Sequence, residues 1–177
     1  MTRADRLALA GLTAAGAGIS ALLGRGDWIF GWGVAVDALL SLWLGALALI
    51  DARRMILPEI LTIPLTFAGL ALAAWVSPDQ LTGHFIGFAL GWGLMAAVAS
   101  AFRFWRGRDG LGGGDAMLLG AAGAWLGPLA LPSLLFLAAL AALGWAVLRR
   151  VRLLPFGPFL AAAFWAIWVA GAWLPWL

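Results

Sequence analysis

The 177-residue chain is 64% hydrophobic and only 11% charged, with a mean hydropathy of +1.01. A soluble domain carries about 25% charged residues, so this is an integral membrane protein, read as one membrane-embedded domain over residues 1–177 with no separate soluble domain. Its lack of cysteine excludes disulfides, thiol chemistry and cysteine-held zinc, its single histidine argues against a histidine-rich metal site, and its net charge of +3 comes from eleven arginines in short stretches between apolar runs, which report topology rather than nucleic-acid binding.

Residues 1–6 are basic and precede an apolar run at 7–23. Its length of about 17 residues reaches the lower limit for a span, so a retained first helix is favoured over a cleaved signal peptide. Further spans are predicted at residues 28–50, 56–76, 81–102, 116–126, 129–148 and 156–176. The expectation is an all-α polytopic bundle of about seven helices, or six if the first is removed or two short ones are re-entrant. With the amino terminus inside, every arginine except Arg25 falls on the cytoplasmic side, as the positive-inside rule asks. That layout puts Asp51 and Asp115 at the same membrane face.

Trp28, Trp75, Trp173 and Trp176 lie near span ends and read as interfacial anchors. Gly83, Gly87 and Gly91, four apart, mark one helix face where a neighbour can approach closely. The stretch Gly110-Leu111-Gly112-Gly113-Gly114-Asp115 stands out. Glycine weakens helices, so the run predicts non-helical backbone at the membrane boundary, ending in a carboxylate.

Among the eight acidic residues, Asp5, Asp27 and Asp79 occupy terminal or loop positions, and Asp37 lies inside the second span. An intramembrane carboxylate is a functional candidate by default. Asp37 is about 21 Å along a helix from Asp51, too far to share its proton. Asp51 and Asp115 each sit at a cytoplasmic span end, and the residues alone leave two readings. They are boundary carboxylates neutralised by arginines such as Arg53 and Arg54, or they form an aspartyl dyad. Two carboxylates sharing one water cannot both ionise easily. The ionised one then acts as general base on the water and the protonated one as general acid towards a peptide carbonyl. The scheme needs no metal and no cofactor.

The segment Asp51-Ala52-Arg53-Arg54-Met55-Ile56-Leu57-Pro58-Glu59-Ile60-Leu61-Thr62 resembles the first-aspartate motif of bacterial type IV prepilin leader peptidases. Gly112-Gly113-Gly114-Asp115 is similar to the GxGD motif of that class of intramembrane aspartyl proteases, and Pro155-Phe156-Gly157-Pro158-Phe159-Leu160-Ala161 resembles their carboxy-terminal signature. The resemblance implies a peptidase at the cytoplasmic face of the inner membrane. It would remove the basic leader of type IV prepilins or of type II secretion pseudopilins, with the lipid bilayer as its surroundings and no nucleic acid as partner.

By motif position Asp51 and Asp115 would be the catalytic pair, and Gly112, Gly113 and Gly114 would shape the loop that presents Asp115. Pro58, Thr62 and Asp109 would support the site or contact substrate, with Asp109 pairing with Arg106 or Arg108 as its other reading. Glu59 reads as a helix-capping residue, and His84, towards the outer side, is given no catalytic part. Two departures stand out. Without cysteine the chain lacks the paired CxxC motifs of many members, so N-methylation is expected to be absent; and Met117 stands where a lysine is frequent, which bears on the dyad's pKa or on a substrate contact. Another GxGD protease, cutting within spans, is the nearest enzymatic alternative. From a different class, the aspartates would bind ions in a non-catalytic assembly or transport component, although no internal repeat is visible.

Overall fold

The computed structural model describes residues 32–107, 112–150 and 154–170. Six helices occupy them: α1 (Trp32–Arg54), α2 (Glu59–Val76), α3 (Leu81–Arg106), α4 (Gly113–Leu126), α5 (Leu131–Arg149) and α6 (Gly157–Ala170). Short 3₁₀ turns at Pro78–Gln80 and Pro128–Ala130 join two of the pairs, and no strand occurs among the described residues. The chain is all-α, as composition and apolar patterning require. Four stretches are long and apolar enough to cross a membrane (Gly33–Arg54, Glu59–Val76, Pro78–Trp105 and Pro128–Arg149), and Gly157–Ala170 is a shorter apolar helix. The chain is a multi-pass membrane protein. The predicted first span at residues 7–23, and the end of the last, lie outside the described residues.

The central element is α4, only 14 residues long. Ala116 and every residue from Leu118 to Trp125 are buried. A helix that is apolar all round belongs inside a bundle, and α4 packs against α2, α3, α5 and α6. Its partnership with α3 is the most extensive and runs antiparallel: Gly87 meets Gly123, while Gly91 meets Leu119. A Cβ on Gly91 would stand 2.5 Å from the Leu119 carbonyl oxygen, so the two backbones are nearly in contact there. Gly87 and Gly91 therefore serve the close packing that their spacing predicts. Gly83 faces open space.

Indoles fix the remaining helices. Trp125 of α4 donates through Nε1 to the Leu65 carbonyl of α2 (2.8 Å), and Trp43 of α1 donates to the Leu61 carbonyl one turn earlier (3.0 Å). Trp125 also meets Phe164 and Trp168 of α6 edge-on, with ring centroids 6.4 and 5.2 Å apart. At the far end of α3, His84 Nδ1 donates to the Ala124 carbonyl at 2.9 Å, a packing role.

Two boundaries differ from the sequence expectation. The first helix continues to Arg54, so Asp51 lies in its last turn rather than beyond it, and Arg53 and Arg54 stand where cations favour the helix dipole. More consequentially, Gly113 and Gly114 are already helical. They are its first two residues, where glycine costs less than the ~1 kcal/mol relative to alanine that it costs in a helix interior. Burial of the apolar stretch behind them, together with Asp115 in the first turn at the positive end of the dipole, offsets that cost.

Candidate active site

Asp51 is almost fully buried, 5% exposed, in the last turn of α1. Its Oδ2 accepts a hydrogen bond of 2.9 Å from the backbone N–H of Gly157, the first residue of α6. The first N–H groups of a helix have no partner within it, and here a carboxylate takes one of them. Gly157 can come so close only because it has no side chain. A Cβ there would lie 2.6 Å from Asp51 Oδ2 and 3.0 Å from Leu57 Cδ1.

Beyond Asp51 the chain turns sharply. The Met55 N–H closes α1 on the Asp51 carbonyl at 2.8 Å, and Met55 takes a left-handed conformation, φ 51°. This reversal points Leu57 back into the bundle, where it is buried against the starts of both α4 and α6. At Gly114 a Cβ would fall 2.5 Å from Leu57 Cβ and 2.7 Å from its carbonyl oxygen. Leu57 thus stands between the glycine before Asp115 and the glycine bonded to Asp51.

Asp115 occupies the first turn of α4, ahead of the apolar part of that helix, and is half-buried. Its N–H bonds the Gly112 carbonyl at 3.1 Å. Burial, and secondarily the charge of Asp51, push its carboxyl up from the usual carboxylate range to about 6. Close contacts run from Asp51 to Gly157, from Gly157 to Leu57 and from Leu57 to Gly114, the residue before Asp115.

The supporting residues divide. Gly114 is sterically required. A Cβ on Gly112 would make only ordinary contact, 4.0 Å from Asp115 Oδ2, and at Gly113 it would meet nothing. Gly112 is extended, φ −71° and ψ 137°, a conformation open to any residue. Pro58 precedes α2 and caps it through its carbonyl, which accepts from Leu61 N (3.0 Å) and Thr62 N (3.3 Å). Thr62 is wholly buried, and its hydroxyl turns to the Glu59 carbonyl of its own helix at 3.4 Å. Glu59 is exposed in the first turn of α2, where no side chain caps the helix. Asp109 lies outside the described residues. Among the described residues no three His, Cys, Asp or Glu side chains group as metal ligands would.

Sequence reasoning missed Gly157 and Leu57 as parts of this neighbourhood. A glycine at a helix start, directly before Pro158, was the available signal.

Residues 38–147 match the type IV leader peptidase family. The chain belongs to that family. Among its relatives, the prepilin leader peptidase/N-methyltransferase of Aeromonas hydrophila is 40% identical over 146 residues, covering 76% of this chain and 49% of the relative. The protein of the same name in Burkholderia pseudomallei is 41% identical over 124 residues, 66% of this chain and 40% of the relative. Leader peptidase HopD of Escherichia coli is 38% identical over 136 residues, 72% of this chain and 83% of the relative. The chain thus spans about half the length of the leader peptidase/N-methyltransferases and most of the length of the shorter relative. No solved structure matches it.

Proposed function

We propose that this family member is a membrane aspartyl endopeptidase that removes the basic leader of type IV prepilins or pseudopilins, and that Asp51 and Asp115 are its catalytic pair. The observation that carries the proposal is the meeting of three segments at one end of the bundle. The last turn of α1, with Asp51, and the starts of α4 and α6 pack around Leu57, and the charge of Asp51 is felt at Asp115.

In this mechanism Asp115 holds the shared proton, the direction in which burial shifts its carboxyl. Asp51, oriented by the Gly157 N–H, accepts a proton from the attacking water. Asp115 gives its proton to the oxygen of the scissile carbonyl as the tetrahedral intermediate forms. Collapse of that intermediate delivers a proton to the leaving amine and restores the pair. The basic residues at this end favour a cytoplasmic orientation: Arg53 and Arg54 end α1, Arg103 and Arg106 end α3, and Arg149 ends α5. An inner-membrane enzyme facing the cytoplasm meets prepilin leaders where they lie.

The test is prepilin processing in membranes that carry the full chain or its Asp51→Ala or Asp115→Ala variant. Loss of cleavage in both, with folded protein retained, is the expected result. Full activity in either removes the dyad. Ion flux that disappears with these substitutions, in a chain that cleaves nothing, favours the transport alternative.

A further inference from the structure

We infer that Asp37, Ser41, Trp165 and Trp168 form a polar latch that sets the position of α6 along α1, and so holds the Gly157 N–H on Asp51. The inference rests on the reading of Asp51 as catalytic. It makes Asp37 and Trp168 positioning residues, about 21 Å along α1 from Asp51 and about 17 Å along α6 from Gly157.

Asp37 lies inside an apolar span and is 2% exposed. A carboxyl buried there costs several kcal/mol unless it is hydrogen-bonded. It accepts from the Trp168 indole of α6 at 2.6 Å. One turn on, Ser41 Oγ accepts from the Trp165 indole at 2.8 Å and donates to the Asp37 carbonyl at 2.6 Å. The spacings match the geometry of facing helices: 37 and 41 are four apart, 165 and 168 three apart, so each pair shares one helix face. Two rungs therefore join α1 to α6 away from the site, and the Gly157–Asp51 bond joins them at it.

Directional bonds matter because residues 42–50 of α1 and 158–164 of α6, between the latch and the Gly157–Asp51 bond, are all apolar or glycine. In lipid, apolar side chains have no preference for protein over acyl chains, and dispersion contacts tolerate small slides better than hydrogen bonds do. A displacement of about 1 Å between reacting groups costs on the order of a hundredfold in rate. Trp168 also stacks edge-on against Trp125 of α4, the helix that carries Asp115 in its first turn. One indole therefore touches the helices of both aspartates.

The test uses the full chain in detergent micelles, labelled with ¹⁵N-glycine, beside prepilin processing. Asp37→Leu and Trp168→Phe are expected to move the Gly157 amide signal upfield, as its short bond to a carboxylate is lost. They should also lower kcat at least about tenfold with KM within about threefold. Asp37→Asn keeps an acceptor for the indole and should hold both readouts within about twofold of wild type. A Gly157 amide unmoved in Asp37→Leu overturns the latch. So does Asp37→Asn as impaired as Asp37→Leu, because then the charge matters and not the acceptor. Trp168→Phe decides the matter if Asp37→Leu fails to fold. If the wild-type chain cleaves no prepilin, the proposed activity falls while the Gly157 amide still decides the latch.

Discussion

Asp37 and Asp51 lie on the same helix and are buried to nearly the same degree, 2% and 5% exposed, yet their surroundings differ in kind. Asp37 meets an indole N–H about one turn into the apolar span. Asp51 meets a backbone N–H at the mouth of a helix, where α1, α4 and α6 converge and a second carboxyl lies within electrostatic reach. Burial alone therefore does not distinguish the two carboxyls. What separates them is the surroundings: Asp37 is bound by a side-chain donor, whereas Asp51 meets a helix start near the segment that carries Asp115, the kind of setting the proposed proton transfer needs.

The strongest way to break this contrast is to remove the carboxylates at the site. Asp51→Ala and Asp115→Ala are each expected to lower prepilin processing by at least about 1,000-fold, since a dyad acts as a unit. Thermal unfolding of the purified variants should show the folded state retained.

Next come the glycines around Asp51 and Asp115. Gly157→Ala and Gly114→Ala drive a methyl group into Asp51 and Leu57 respectively. Each should cost about 10- to 100-fold in kcat, the scale of a 1 Å misplacement. Gly113→Ala, which enters open space, should stay within about twofold of wild type. Equal losses at all three positions would show that the glycine run works through flexibility rather than close approach.

The pH profile sharpens the division of labour. If Asp115 is the general acid of the proposed pair, its carboxyl, raised to about 6, gives up that proton as pH rises through that value. The alkaline limb of kcat/KM for the free enzyme is therefore expected near pH 6, as an apparent value belonging to the pair. A pH-independent rate between 5 and 8 would remove Asp115 as the acid.

The smallest effect belongs to the turn after Asp51. Met55 is 63% exposed and left-handed, a conformation that costs a side-chain-bearing residue about 1 kcal/mol. Met55→Gly should raise the unfolding midpoint slightly, by less than about 1 kcal/mol in stability, because the unfolded chain also gains freedom. Processing should be unchanged.

Much of this protein was legible in its residues because lipid makes strict demands. Backbone polar groups must be satisfied internally, so long apolar runs become helices. The predicted spans at 56–76, 81–102 and 129–148 lie within a few residues of α2, α3 and α5. The motifs around Asp51 and Asp115 disclosed the family, since those residues stand close together in sequence. The four-residue spacing of glycines foretold contact at Gly87 and Gly91, though it could not tell that Gly83 would face open space.

What only the tertiary structure decided were relations between distant segments. The glycine run reads locally as broken backbone, yet Gly113 and Gly114 are helical because α4 is enclosed by four neighbours whose packing outweighs glycine's weak propensity. Of the three glycines beside Asp115, only Gly114 is sterically required, because only there does Leu57 fill the space of a side chain. Gly157 lies 106 residues from Asp51 and Trp168 lies 131 from Asp37. No periodicity connects such pairs. Helix propensity and hydropathy are properties of a segment, whereas a hydrogen bond across the bundle depends on how two helices settle against a third.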